Sequence, residues 1–197
     1  MPSFTRAELE SFRGAEVPDL IGPRVRLVFV GINPGLMTAA RQVHFGNPAN
    51  RFRPALVAAG LLEPPVDGPG MTEADLAALL SRGVGITNLV PFATARADEL
   101  TRAQLVAGRG RLEAFVAAHH PRVVAVLGIT ACRVAFERPR ARPGLQPERI
   151  GNAALWVVPN PSGLNAHESV ASLAAAYAEP ARAAGIEVSA PPGMLAP

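Results

Sequence analysis

Two kinds of hydrophobic spacing alternate along the chain. Four short stretches are nearly continuous in Val, Leu and Ile and end in turn residues: 25–32 (VRLVFVGI), 84–90 (VGITNLV), 122–128 (RVVAVLG) and 154–159 (ALWVVP). Apolar runs this short, bounded by turn signals, predict strands. The first, third and fourth lack the in–out alternation of a half-exposed sheet, so both faces are expected to be covered, as in a parallel sheet. Between them, helices are predicted over about 48–60, 72–82, 99–119 and 167–178. In 99–119 the helical spacing of Leu100, Leu105, Leu112, Phe115 and Val116 is imperfect, and Gly108 and Gly110 weaken it further. Strands alternating with helices predict an α/β fold, a three-layer α/β/α sandwich around a short, mainly parallel central sheet. Residues 137–152 (ERPRARPGLQPERIGN) read as a Pro- and Arg-rich loop before the last strand. The tail from about residue 184 reads as disordered.

Composition narrows this picture. A chain of 197 residues, 49% apolar, is expected to form one domain over 1–197, with its core at about 24–180 and flexible ends. No apolar run approaches the roughly 20 residues of a membrane helix, and the N-terminus has no secretory apolar core. The expected location is therefore cytoplasmic, away from the membrane, and with no long hydrophobic stripe left over the expected state is a monomer. Cys132 is the single cysteine, which excludes an intrachain disulfide, a thiolate zinc site and a four-cysteine cluster. The four histidines, His44, His119, His120 and His167, have no metal-ligand spacing, and no cofactor is expected. All 19 basic residues are arginine. Without lysine there is no Schiff-base nucleophile and no P-loop lysine. Arginine forks suit phosphate, so a net charge of +3 is compatible with a DNA-facing surface, although GC-rich coding bias also yields arginine for lysine.

Two of the predicted strands end in nearly the same turn: FVGINPGL (29–36) and LWVVPNPSGL (155–164). Open parallel sheets bind ligands beyond the carboxyl ends of their strands, so the two turns are expected to face one cleft. Pro34 keeps Asn33 out of the α region, and Gly35 permits close approach of a ligand. Asn33 is then either a cap for the following helix or a group addressed to the ligand. Asp98 is similarly either a helix cap or an acid beside the cleft.

In order, GINPGL (31–36), FGNPANRF (45–52), GITNLV (85–90), ARADEL (95–100) and VPNPSGL (158–164) resemble the motifs of mismatch-specific uracil-DNA glycosylases, the relatives of thymine-DNA glycosylase. The resemblance spans about residues 24 to 180 and implies the same α/β/α sandwich. It implies that Asn33 positions the water attacking C1′ of a flipped-out deoxyuridine, and that Phe45 stacks on the uracil. Ile32 would present backbone groups to the base edge, and Thr38 would lie near C5 of the ring. Asn160 stands where more distant uracil glycosylases carry histidine. Gly163 and Leu164, flanked by Ser162 and Asn165, match the wedge that fills the space left by the flipped base. Asn50 and Arg51 are expected to serve structure and phosphate contact. Arg53 stands where relatives often have tryptophan, and Ala166 where one branch has a basic residue. An asparagine holds water but cannot take its proton, so Asp98 is the candidate assisting base. The implied partner is double-stranded DNA containing uracil or a related damaged base, preferentially in a G·U pair. The implied product is an abasic site. A base-flipping lesion binder with little turnover, and a nucleotide-binding α/β protein unrelated to DNA, are the competing readings.

Overall fold

The computed structural model describes residues 4–64, 70–163, 165 and 167–188. Every residue of β1 (Leu27–Gly31) and β3 (Val123–Leu127) is buried, as their continuous apolar runs require. So is all of β2 (Val84–Asn88) despite its Thr87 and Asn88, whereas the last parallel strand leaves Ala154 and Trp156 half-buried. β5 (Ala153–Val158) completes the parallel set, and β4 (Gly144–Ile150) runs antiparallel along its outer edge. The sheet order is β2-β1-β3-β5-β4.

Alternate strand residues feed two separate cores. Leu27 and Phe29 of β1, with Val123, Ala125 and Leu127 of β3, face α3 (Phe52–Ala58), α4 (Glu73–Ser81) and α7 (Val170–Ala183). Val28 and Val30, with Val124 and Val126, face α5 (Arg102–His119) and α6 (Ile129–Ala135). The expected three-layer α/β/α sandwich around a mainly parallel sheet is therefore what the chain forms. Two further helices, α1 (Arg6–Glu10) and α2 (Leu36–Arg41), pack on one another near the end of β1. The N-terminal residues set outside the 24–180 core also take part. Val17 is buried, and Leu20 exchanges both backbone hydrogen bonds with Ile86 of β2.

Several expectations change. The segment 137–152 is not all loop, because Gly144–Ile150 forms the edge strand β4. Pro147 has no N–H to give, and the β4–β5 register slips between Leu145 and Arg149, around that proline. An edge strand tolerates both, which is why loop-like composition concealed it. The helix expected from residue 48 begins only at Phe52, since Asn47 and Asn50 turn the chain by accepting from the N–H groups of Ala49 and Phe52. The long helix α5 is capped by Thr101, whose side chain accepts from Gln104 N–H, so Asp98 is not its cap and lies in a 3-10 turn, Ala97–Glu99. α7 continues through Pro180 to Ala183, and Ile186 beyond it is buried against the first core. The rest of the expected disordered tail, from 189, lies outside the described residues.

Candidate active site

Chain direction across the sheet reverses between β1 and β3. The link from β1 to β2 carries α2, α3 and α4, and the link from β2 to β3 carries α5 on the opposite face. Crevices form at such reversals, outside the carboxyl ends of the strands. A pocket of about 200 Å³ opens there, and it brings together Ile32, Asn33, Thr38, Phe45, Asn160 and Ser162 from the sequence-derived set. Both Asn-Pro turns thus reach one pocket, although β3 separates their strands. The volume is below the roughly 300–1,000 Å³ of drug-sized sites and suits one flat ring.

Four asparagines line this pocket, and the two from the Asn-Pro turns, Asn33 and Asn160, are oriented oppositely by their fixed partners. Asn33 Nδ2 donates to Thr94 Oγ1 at 2.8 Å, Pro34 O at 3.1 Å and Phe92 O at 3.2 Å. Two of these partners are carbonyls and only accept, so the nitrogen must be the anchored end and Oδ1 is left as an acceptor. The cap of α2 is Gly35, without any side-chain cap bond, so Asn33 does not cap that helix. In Asn160 the reverse holds: Oδ1 accepts from Ser162 N–H at 2.9 Å, which leaves Nδ2 as a donor. The two turns thus present an acceptor, Asn33 Oδ1, and a donor, Asn160 Nδ2, to the pocket, and neither titrates.

Thr94 was not singled out from sequence. Its hydroxyl accepts from Asn33 and donates to Arg96 O at 2.8 Å, fixing the Asn33 amide from a segment 61 residues away. Its only sequence signal is its place between the GITNLV and ARADEL motifs.

The platform is aromatic. Phe45 lies over Phe52 with ring centroids 4.0 Å apart and a tilt of 31°. Phe52 in turn packs against Phe29 at 5.3 Å and Tyr177 at 5.7 Å. Tyr177 donates its hydroxyl proton to Pro159 O at 2.9 Å, so the same cluster fixes the residue before Asn160. Phe45 has φ 53°, an uncommon conformation for a bulky side chain. Gly31 lies beneath it and leaves room for Asn88, whose Oδ1 would stand 2.3 Å from a β carbon there and would have to shift. His44 does not line the pocket. It is buried with Nε2 against Pro18 O at 2.9 Å, and burial pushes its imidazole below the ordinary value of 6.5.

Arg51 organises the second turn. Its backbone N–H donates to Pro161 O, and its guanidinium donates to the carbonyls of Ser162 (2.6 Å), Asn165 (2.7 Å) and Glu168. This is the structural half of the role expected of it: one guanidinium ties the backbone at Ser162, Asn165 and Glu168. Gly163 lies against the 47–50 loop, where a β carbon would meet Ala49 O at 2.8 Å. Leu164, the expected wedge, and Ala166 lie outside the described residues. Asn165 donates through Nδ2 to Asn160 O at 3.1 Å, bracing the turn from the other side.

Asp98 stands apart. Its carboxylate is exposed and bonded to Arg96 at 2.5 and 3.0 Å, and the Arg96 guanidinium holds it below the ordinary carboxylate value. It is not among the pocket residues, and among the described residues none that lines the pocket is Asp, Glu or His.

Arg53, noted as a departure at a position often held by tryptophan, has a partner of its own. It meets Asp75 of α4 bidentately at 2.7 and 3.0 Å, nearly shielded from solvent, and Asp75 also accepts from Thr72 N–H and Oγ1.

Comparison with known proteins bears on the fold and the family. A solution NMR structure of a protein from Methanosarcina acetivorans, provisionally named a uracil DNA glycosylase, superposes with a TM-score of 0.52 at 17% identity. The match covers 84% of this chain and 98% of that one, and at that identity it speaks for the fold. The sequence profile of the Uracil DNA glycosylase superfamily matches residues 18–180, which include both Asn-Pro turns, the aromatic platform and Thr94. The chain belongs to the uracil DNA glycosylase superfamily.

Proposed function

We propose that this protein hydrolyses the N-glycosidic bond of deoxyuridine flipped out of duplex DNA, preferentially from G·U pairs, and leaves an abasic site. The observation that carries this reading is the pair of oppositely fixed amides beside an aromatic platform. The uracil ring stacks on Phe45, whose other face is backed by Phe52. Thr38, at the pocket wall, limits substituents at C5. Asn33 Oδ1 accepts from a water and aims it at C1′, while Asn160 Nδ2 donates to the base as negative charge develops on it. Such hydrogen bonds act where charge appears in the transition state and need no reorganisation.

Bond cleavage sends the electron pair of the C1′–N1 bond to the base, and the attacking water loses its proton late, to solvent. No residue in the pocket takes that proton, so turnover is slow. Asp98 is not needed in this path. It would have to leave Arg96 before it could act as a base. With no lysine in the chain, a lyase step through a lysine Schiff base is absent. Ser162, Gly163, Leu164 and Asn165 serve the duplex, with Leu164 as the wedge.

The test is single-turnover release from a duplex with one G·U pair. Asn33→Ala is expected to lose at least 100-fold, in the range seen when a positioned polar group is removed from a transition state. Asp98→Ala is expected to retain activity. A large loss in Asp98→Ala, with folding and DNA binding intact, would make that carboxylate the base after all. The absence of a titratable group in the pocket also favours a second reading, a base-flipping lesion binder. Tight binding of the mismatch by wild type with no base release would establish it.

A further inference from the structure

The base pocket is one end of a longer groove. Ile32, Asn160 and Ser162 line both the pocket and a neighbouring cleft of about 510 Å³, which continues past Gly128 to Thr130 and His167. Pro143 lines that cleft and also a third cavity of about 490 Å³, enclosed by residues 137–148. Neighbouring spaces share wall residues, so the pocket, the cleft (with Glu168 on its wall) and the arginine-rich segment before β4 lie in series.

That segment is built to hold its shape. Arg133 donates twice to Ala141 O, at 2.8 and 3.0 Å, and Gln146 Nε2 donates to Arg142 O and Gly144 O at 2.7 and 2.8 Å. Its two acids are already neutralised, Glu148 by Arg138 at 2.8 Å and Glu137 by Arg102 at 2.9 Å. Arg140 and Arg142 differ: both are exposed, and among the described residues neither has an ion pair. On a clamped loop, meeting an anion costs the two guanidiniums side-chain freedom but little backbone ordering.

We propose that this groove carries the sugar–phosphate backbone of the duplex flanking the flipped nucleotide, with Arg140 and Arg142 each meeting a phosphate. The proposal rests on the reading that the pocket takes a nucleotide from duplex DNA. The extra contacts lengthen the footprint on one side of the lesion, and they add affinity without touching the reacting bond.

The experiment uses the full chain and a duplex with one G·U pair. Binding is followed by fluorescence anisotropy across a salt series, and base release by single-turnover kinetics. The variants are Arg140→Ala, Arg142→Ala, their double, and Arg24→Ala, an exposed arginine before β1 at the opposite end of the strands. Each loop variant is expected to lower the slope of log K against log salt by about 0.9, the value for one phosphate contact. Arg24→Ala is expected to leave the slope unchanged, and release at saturating enzyme is expected to be unchanged in the double variant. The weakening should vanish on duplexes trimmed close to the lesion on one side and persist when trimmed on the other. Unchanged slopes, or weakening indifferent to trimming on either side, would overturn the proposal. So would a polyglutamate peptide that binds wild type and not the double variant while the DNA slopes stay equal, which would assign the surface to an acidic protein. Wild type that binds DNA through these arginines but releases no uracil would sink the catalytic reading alone. Release with unchanged slopes would sink the groove alone.

Discussion

Phe45 holds its backbone in the left-handed region, at φ 53°, while its ring is pressed on Phe52. A bulky residue in that region carries on the order of 1–3 kcal/mol of strain, which the aromatic cluster must offset. Substitution can separate the two terms. Phe45→Gly and Phe45→Ala remove the same stacking, but only glycine relaxes the backbone, so the glycine variant is expected to be more stable by about 1 kcal/mol. Both are expected to lose base release, and urea midpoints beside single-turnover rates would check the pair. A more stable alanine variant would mean that the backbone is unstrained. At this scale the sequence was informative where one residue type suits few jobs. Asn33, Phe45 and Asn160 were legible from their motifs because a turn fixes the first and last. Thr94 was not, since a single hydroxyl in a loop has no pattern until the fold brings it to Asn33. For Asp98 the partner that matters lies only two residues away in Arg96, yet an exposed pairing has no signature distinct from a cap.

Helix α5 carries two glycines of opposite meaning. A β carbon on Gly108 would stand 2.7 Å from Leu89 O, so the glycine lets the helix approach the end of β2. Gly110 meets nothing within 4 Å and faces solvent. Gly110→Ala is therefore expected to stabilise the protein by about 0.5–1 kcal/mol through helix propensity, and Gly108→Ala to destabilise it. Thermal denaturation of the two variants would test the contrast, which propensity alone forbids because it predicts the same sign for both. Elements with a sustained period were legible, and the four parallel strands differ from their expected bounds by one or two residues. Short elements were not: α2 and α6 have six and seven residues, under two turns, too few for a repeat to stand out. β4 was hidden for another reason, since one proline and one register shift at a sheet edge look like loop in one dimension.

Across the molecule, two buried groups away from the pocket contribute to the protein's response to acid. His44, next to the platform, is held neutral by burial, so its folded value lies below 6.5. The unfolded chain binds the proton first, and stability present above pH 6.5 is lost as pH falls through the depressed folded value. For Asp75, burial raises the carboxyl, but Arg53 and Thr72 outweigh it and the net shift is below 3.8. Its contribution is lost only below that, as pH falls through the folded value. Urea denaturation from pH 7.5 to 5 is expected to show falling stability in wild type and a flatter profile in His44→Gln, whose amide can still donate to Pro18 O. An equal slope in both would exclude His44 as the source. Neither group reaches the pocket, where among the described residues none of the lining side chains is Asp, Glu or His. Under the proposed hydrolysis, a departing base carries its charge on its own ring, helped only by neutral hydrogen bonds. Discrimination among damaged bases is then expected to follow their acidity as well as their shape: rings that hold an electron pair easily leave, and electron-rich ones stay bound even when they fit.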